Sequence, residues 1–412
     1  MDGKRFLNSV KFTNLLSFGP DGMELELQPL NVLIGPNGSG KSNFIDLISL
    51  LCSVSSDLRG FSLGNGIPSD WNYKGESFGV KKNTIEVDIN GHKDNFKSIY
   101  SNAKMTHKIE FDTNGFRFGV NNEEIIYMSD SEEYSSILFK NELGDAKIVE
   151  PGVEFAEYIK DKKKYLVSVD ENFKKDLSIL SQDGVHQNQR GFTWLIQIYR
   201  AFKIFNRLSL GRDSIMRKPQ DSALDSSFLF EDGSNLALVL NDIRNEPVVK
   251  REILKYLKMF YDSVVDYDVR IIGGAVQLYF EENGLDKTVP ATRLSDGTIR
   301  YLAILSILLH PDPPPLICIE EPELGIHPDV ISIIADLLID ASKRTQLIVT
   351  THSDILLSAI GKTCPEAIVV CEKGLNGTKM TRPDPEQLNK WIEENFDLGS
   401  VWMSGLIGGT RW

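Results

Sequence analysis

The 412-residue chain has little of what a secreted, membrane-spanning or metal-centred protein needs. Its four cysteines, Cys52, Cys318, Cys364 and Cys371, are scattered and show no paired ligand spacing. They read as reduced, mostly buried thiols of a cytoplasmic protein. The N-terminus, Met1-Asp-Gly-Lys-Arg-Phe6, lacks the apolar core of a signal peptide. The longest apolar stretch, near Tyr301–Leu309, is far too short for a bilayer, so no membrane association is expected. The six histidines (His92, His107, His186, His310, His327, His352) form no His-Asn-His or zinc pattern. No heptad pattern persists, so no long coiled-coil arm is expected, and no internal repeat is visible. Positive charge is also in deficit. A formal net charge of −13 argues against a surface that grips nucleic acid everywhere, while a local basic patch stays open.

What is present is organised around Gly35-Pro-Asn-Gly-Ser-Gly-Lys41-Ser42. The apolar run Leu30–Ile34 before it reads as a buried strand, and Asn43–Leu51 after it has apolar residues at helical spacing. Strand, glycine loop and helix together make a phosphate-binding loop. Its backbone amides and the helix N-terminus attract an anion. Gly35, Asn37, Gly38, Ser39, Gly40, Lys41, Ser42 and Asn43 are therefore the candidate phosphate ligands. Lys41 is expected to reach the β- and γ-phosphates, and Ser42 to sit on Mg²⁺.

Around this loop the pattern predicts strands at Phe6–Phe18 and Met23–Leu27, separated by the turn Gly19–Gly22. Ser53 to about Lys82 reads as a long surface loop. Strands are then expected at Thr84–Ile89, Phe96–Tyr100, Lys108–Phe111, Phe116–Val120 and Glu124–Met128, forming an antiparallel meander. From about Val153 to Arg217 the pattern turns helical, with one helix over Thr193–Phe205. There the cluster Lys160–Lys164 reads as a solvated face or a phosphate contact. Arg212–Asp232 reads as a polar connection, Leu236–Leu257 as a helix, and Tyr267–Phe280 as a hairpin turning at Gly273-Gly274. This divides the chain into an N-terminal lobe (1–150), a mainly helical insertion (151–268) and a C-terminal lobe (269–412).

The last third holds the other candidate residues. Leu294-Ser-Asp-Gly-Thr298 opens a helix over Ile299–Leu309, whose first-turn amides, with Ser295, Asp296 and Gly297, are available to an anion. Pro313–Glu321 is an apolar strand ending in the adjacent carboxylates Glu320 and Glu321, which point to opposite faces if strand geometry persists. One then orients hydrated Mg²⁺ and the other takes a proton from water. A helix over Val330–Ser342 and a strand over Gln346–Thr350 follow, ending in Thr351-His352-Ser353, where His352 is placed to sense a γ-phosphate. Strand ends of this kind are where open α/β sheets bind ligands.

Gly35–Ser42, Leu294–Thr298, Glu320-Glu321 and Thr351–Ser353, in that order, resemble the ABC-type ATPase heads of the SMC and RecF group. Ile319-Glu-Glu-Pro-Glu-Leu-Gly-Ile-His-Pro328 is similar to bacterial AAA-type ATPases related to the overcoming-lysogenisation-defect nucleases and to Septu- and PARIS-type defence ATPases. The resemblance covers the chain up to Leu51 and again from Tyr267. It implies an α/β P-loop ATPase head with an antiparallel β subdomain and a helical insertion. It also implies ATP and Mg²⁺ as ligands and a homodimer, or a higher oligomer, closed around ATP. Ser295–Gly297 of one subunit would then meet the phosphate held by the other. Glu320 matches the Mg²⁺-shell position, Glu321 the general base and His352 the switch histidine. A sensor or regulator of a separate effector, expected to be a nuclease, follows from the defence relatives. A RecF- or SMC-like DNA clamp and an ATP-binding scaffold without turnover stay open, as does a nucleic-acid ligand. Glu replaces the usual Asp at 320, the basic residue of the Asn-Phe-Arg/Lys-Ser motif is missing from Asn14-Leu-Leu-Ser17, and no glutamine lies between Gln28 and Gln182 to place the Q-loop. Only 60 residues follow His352, short for a TOPRIM domain. The tail tryptophans Trp402 and Trp412 are expected to pack on the core.

Overall fold

A computed structural model describes residues 3–75, 82–90, 104–128, 135–142, 145–149, 166–169, 173–182, 190–207, 210, 215–394 and 396–408. The chain opens with β1 (Leu7–Thr13) and β2 (Met23–Glu26), which pair antiparallel. The fully buried β3 (Leu30–Ile34) leads through the glycine loop into α1 (Lys41–Ser53). The segment from Ser53 to Lys82, expected as a surface loop, instead holds α2 (Leu58–Asn65) and a 3-10 turn at Pro68–Trp71. Asp57 caps α2 by accepting from the Gly60 amide at 2.8 Å, and Trp71 is buried edge-on against Phe118. The polar composition hid an aromatic cluster, Phe61 and Trp71 against Phe118, which anchors the segment.

Strands β4 (Asn83–Asn90), β5 (Lys104–Asp112), β6 (Gly119–Met128), β7 (Ser135–Glu142), β8 (Asp145–Val149) and β9 (Leu166–Ser168) follow. They join β1 and β2 in an antiparallel sheet ordered β2-β1-β4-β5-β6-β7-β8-β9. The strand expected over Phe116–Val120 starts only at Gly119, because Phe116 sits in the preceding turn, 92% exposed. The expected strand Phe96–Tyr100 and the cluster Lys160–Lys164 lie outside the described residues.

The helix expected over Thr193–Phe205 is two elements, α3 (Arg190–Ala201) and the short strand β10 (Lys203–Phe205). Helical spacing continues to Phe205, but β10 pairs in parallel with a distant strand, from Lys203 opposite Ile317 to Phe205 opposite Ile319. Tertiary pairing overrides the local period here. Within Arg212–Asp232 the structure places a helical turn at Ile215–Arg217 and β11 (Gln220–Asp221). The helix expected over Leu236–Leu257 is likewise split, into α4 (Leu236–Ile243) and α5 (Pro247–Phe260), with Pro247 opening the second. Proline is tolerated in a first turn but not in an interior. β12 (Val264–Ile272) and β13 (Ala275–Glu282) form the expected hairpin, flanked by β11 and by β14 (Val289–Pro290). Among the described residues the longest helix is α5, with 14 residues, and no long coiled coil is present.

The C-terminal third supplies α6 (Asp296–Leu308), β15 (Leu316–Glu320), α7 (Ile331–Ala341), β16 (Gln346–Thr350) and α8 (Asp354–Thr363). It closes with β17 (Ile368–Gly374), β18 (Gly377–Thr381), α9 (Pro385–Glu393) and α10 (Leu398–Met403). A central sheet runs β10-β15-β16-β3-β17-β18, parallel except for β18. Its two faces bury different cores. Val32, Ile319 and Val349 join the cluster shared with α6 and α7. Leu33, Cys318 and Ile348 join the cluster shared with α1 and the antiparallel sheet. Burial on both faces explains why these strands read as continuous apolar runs. Trp402 is buried in the first cluster, as expected for a packed tail, while Trp412 lies outside the described residues.

Candidate functional site

Parallel pairing brings four segments to one edge of the sheet. Glu320 lies opposite Thr350, Thr350 opposite Leu33, and Phe205 opposite Ile319. Whatever follows each strand must then meet at the carboxyl edge. A cleft of about 330 Å³ opens there. The glycine loop and α1 contribute Asn37, Gly38, Gly40, Lys41, Ser42 and Asn43; β15 contributes Glu320 and Glu321, and β16 contributes Thr350 and His352. Asn206 and Arg207, just past β10, complete the wall.

The loop suits an anion on several independent grounds. Gly40 is the N-cap of α1 at φ +100°, and no side chain caps that terminus. The helix therefore presents uncapped first-turn amides, with their share of positive potential, to the cleft. Gly40 also has no room for a side chain, since a Cβ there would lie 2.7 Å from Ser17 Oγ and would meet Thr378 Oγ1. Thr378 donates to Ser39 O at 3.0 Å, so β18 braces the loop from behind. Lys41 Nζ donates to Gly35 O at 2.7 Å and Pro36 O at 3.0 Å. Burial pulls the Lys41 ammonium below the ordinary lysine value, against the nearby Cys371, Glu321 and Glu320, which push it back up. Two of the candidates in the glycine loop do not line the cleft. Gly35 lies against β17, and Ser39 is 1% exposed beneath the loop, its Oγ without a hydrogen-bond partner.

The adjacent carboxylates depart from the expected geometry. Strand alternation would send them to opposite faces, yet both line the same cleft. Glu321 has φ +46°, a left-handed conformation that costs a non-glycine residue about 1 to 3 kcal/mol. Its amide still donates to Thr350 O at 3.0 Å, so the chain turns sharply at the strand's last rung. The Glu321 carboxylate then lies 3.9 Å from His352 Nε2. Glu320 keeps strand geometry and accepts the Arg207 amide at 3.1 Å. Ser42 and Glu320 both face the cleft and offer oxygen ligands of the kind a hard cation takes.

Four residues escaped sequence reasoning. Asn206 stands at the end of β10, beside β15, and was hidden because β10 was read as the end of a helix. Arg207 follows it into the same wall. Glu323 accepts from Thr351 Oγ1 at 2.6 Å and from the His352 amide at 3.1 Å, and so fixes the histidine loop. Burial raises the Glu323 carboxyl above its ordinary value, and these hydrogen bonds oppose the rise. Arg300, on α6, donates to the Glu321 carbonyl at 2.9 Å. Glu323 lies in the Glu-Glu-Pro-Glu stretch, where only the first two carboxylates drew a role, and no local signal pointed to Arg300.

Ser295, Asp296 and Gly297 lie outside the cleft, at the N-terminus of α6. Ser295 caps that helix, its Oγ accepting from the Thr298 amide at 3.1 Å. Asp296 pairs with Arg217. One of the first-turn amides expected to be available is thus already engaged, by the serine that was expected to serve it.

The fold is that of SMC and ABC-type ATPase heads. The structure of an SmcHead bound to the C-winged helix domain of ScpA superposes with a TM-score of 0.56, at 14% identity, over 93% of this chain and 99% of that one. A second Smc head domain, with an extended coiled coil, bound to the C-terminal domain of ScpA and derived from Pyrococcus furiosus, superposes with a TM-score of 0.54 at 12% identity. That alignment covers 95% of this chain and 99% of that one. At such identities the likeness concerns the fold alone. The chain belongs to the AAA ATPase family described as "AAA domain, putative AbiEii toxin, Type IV TA system", whose model matches residues 30–358. Protein ea59 of Escherichia phage lambda is 26% identical over 145 residues, a stretch that is 35% of this chain and 23% of that protein. Among the described residues no helix is long and apolar enough to cross a membrane.

Proposed function

We propose that this protein binds and hydrolyses ATP with Mg²⁺, pairs with a second copy around the nucleotide, and uses that cycle to control a separate effector. The observation that supports it most directly is the convergence of an uncapped helix N-terminus, Lys41, two carboxylates and His352 on one cleft. In this reading the loop amides and Lys41 bind the triphosphate. Ser42 and Glu320 hold the cation, with Asn206 lining the same cleft, and the cation neutralises charge building on the phosphates. Glu321 accepts the proton of the attacking water, and His352, 3.9 Å away, orients that carboxylate and reads the γ-phosphate.

The exposed signature segment supports the pairing. Ser295 and Asp296 are exposed and lie outside the cleft, where a second copy can bring its phosphate. Closure would then depend on ATP and reopen after hydrolysis. The toxin–antitoxin wording of the family and the partial match to a phage protein support a setting in conflict between bacteria and phages. A nuclease is the effector this reading expects.

The decisive experiment is capture from the native host with Mg-ATP, using Glu321→Gln to hold the closed state and Lys41→Ala to prevent it. A nuclease-like protein enriched only with Glu321→Gln supports the proposal. Recovery of duplex DNA with recombination proteins and no such subunit would replace it by a DNA clamp. Turnover unchanged in Glu321→Gln would remove the hydrolytic cycle and leave a nucleotide-binding scaffold.

A further inference from the structure

The α6 helix is buried from Thr298 to Leu308, so it behaves as a rod within the core. One turn into it, Arg300 is only 4% exposed; burial lowers its pKa while the Glu323 and Glu321 carboxylates favour its charge, yet its hydrogen bonds go elsewhere. Its partners are main-chain carbonyls. Nη2 donates to Glu321 O at 2.9 Å, and Nη1 lies 3.4 Å from both Arg207 O and Leu210 O. Nε is buried without a partner. A buried cation is costly, and one spread over three carbonyls from two loops is not explained by core packing.

Both loops contribute to the lining of the cleft, through Glu321 and through Asn206 and Arg207. One turns at Glu321 in the left-handed conformation, which the local sequence does not favour. The other carries Asn206 and Arg207, and its Arg207 amide donates to Glu320 at 3.1 Å. A planar guanidinium can bridge carbonyls that lie in different directions, and an ammonium on a shorter stem cannot reproduce that fork. A second contact joins the same parts. Gly297 packs so tightly on the turn after Glu321 that a Cβ would lie 2.6 Å from Gly325 O.

We infer that Arg300 is a positioning residue that holds Glu321 in its left-handed turn, holds the Arg207 and Leu210 carbonyls beside it, and ties both to the N-terminus of α6. The inference rests on Glu321 being the general base. Its consequence is that the exposed signature segment and the base move together. A shift of α6 at Ser295 is passed through one guanidinium to the Glu321 backbone, without any contact between Arg300 and the nucleotide.

The test uses the full chain with Arg300→Lys and Arg300→Ala. We measure affinity for a fluorescent ATP analogue, kcat, KM and thermal unfolding in each. Arg300→Lys is expected to keep nucleotide affinity within about twofold and to lower kcat at least tenfold with KM little changed, since only the base is misplaced. In Arg300→Ala, millimolar guanidinium ion is expected to restore part of kcat, while equimolar ammonium is not. Wild-type kcat in Arg300→Lys would overturn the inference. So would a kcat that falls in step with affinity and thermal stability and is not restored by guanidinium, which would mark Arg300 as packing only. Should Arg300→Ala not fold, the Lys variant decides. Failure of the underlying reading looks different: Glu321→Gln would then turn over like the wild type, whatever Arg300 does, and the inference falls with it.

Discussion

Two helices in this protein begin with small, polar, glycine-containing segments, and they begin differently. The α1 terminus has Gly40 at its cap, in a left-handed conformation, and no side chain satisfies its amides. The α6 terminus has Ser295 at its cap, bonded to the Thr298 amide, and an acidic first-turn residue, Asp296, paired with Arg217. By sequence both looked ready for an anion. In the structure the first opens into a cleft, and the second has one amide already taken by its own Ser295 at an exposed terminus. An N-terminus is an anion site only when nothing nearer has taken its donors. The α1 end is therefore suited to binding within one subunit, and the α6 end to a contact that must compete with an existing cap.

The comparison can be broken most directly at Lys41. Lys41→Ala is expected to weaken ATP binding at least a hundredfold, about 3 kcal/mol, by removing a buried charge-assisted contact. In the same titration Ser295→Ala should stay within about twofold of the wild type. Comparable losses in the two variants would erase the distinction between the termini.

A smaller effect sharpens it. Gly40→Ser attempts to give α1 the cap that α6 has. The backbone there is left-handed, and Ser17 and Thr378 occupy the space, so a loss of about 2 kcal/mol in urea unfolding is expected instead of a gain. A stabilised variant would show that the open terminus is not enforced by its surroundings.

The smallest expected effect is at the other cap. Ser295→Ala should cost about 1 kcal/mol in urea unfolding, the usual worth of a side-chain cap. No measurable loss would mean that the Thr298 amide is not served by Ser295 in solution, and that both termini are open after all.

The legible parts of this protein are those whose cause is local. Leu30–Ile34, Gln346–Thr350 and the hairpin at Gly273-Gly274 were readable because an apolar run or a glycine pair is enough to define them. The glycine loop was readable because its spacing has few other uses. The illegible parts depend on distant partners. Lys203–Phe205 reads as helix in the sequence because its strand partner lies more than a hundred residues away in β15. The segment from Ser53 to about Lys82 reads as loop because the ring cluster of Phe61 and Trp71 that orders it is completed by Phe118, from outside the segment. The misreading of β10 then concealed Asn206 and Arg207, since a residue at the end of a parallel strand has a different neighbourhood from one at the end of a helix.

By itself the sequence determined the kinds of donor and acceptor available: a glycine loop with Lys41 and Ser42, paired carboxylates after one apolar strand, and a histidine after another. Backbone permissiveness and side-chain charge are properties of residues, and they survive without the fold. Tertiary structure alone decided which of these groups share a cleft and how they face. It turned Glu321 into a left-handed bend so that both carboxylates meet the loop, and it left Ser295–Gly297 outside. It also brought a guanidinium from α6 to carbonyls of the two loops that carry Arg207 and Glu321. The physical reason is that strand pairing and buried hydrogen bonds act between residues far apart in the chain, and an unpaired backbone group in a core is too costly for local preference to prevail.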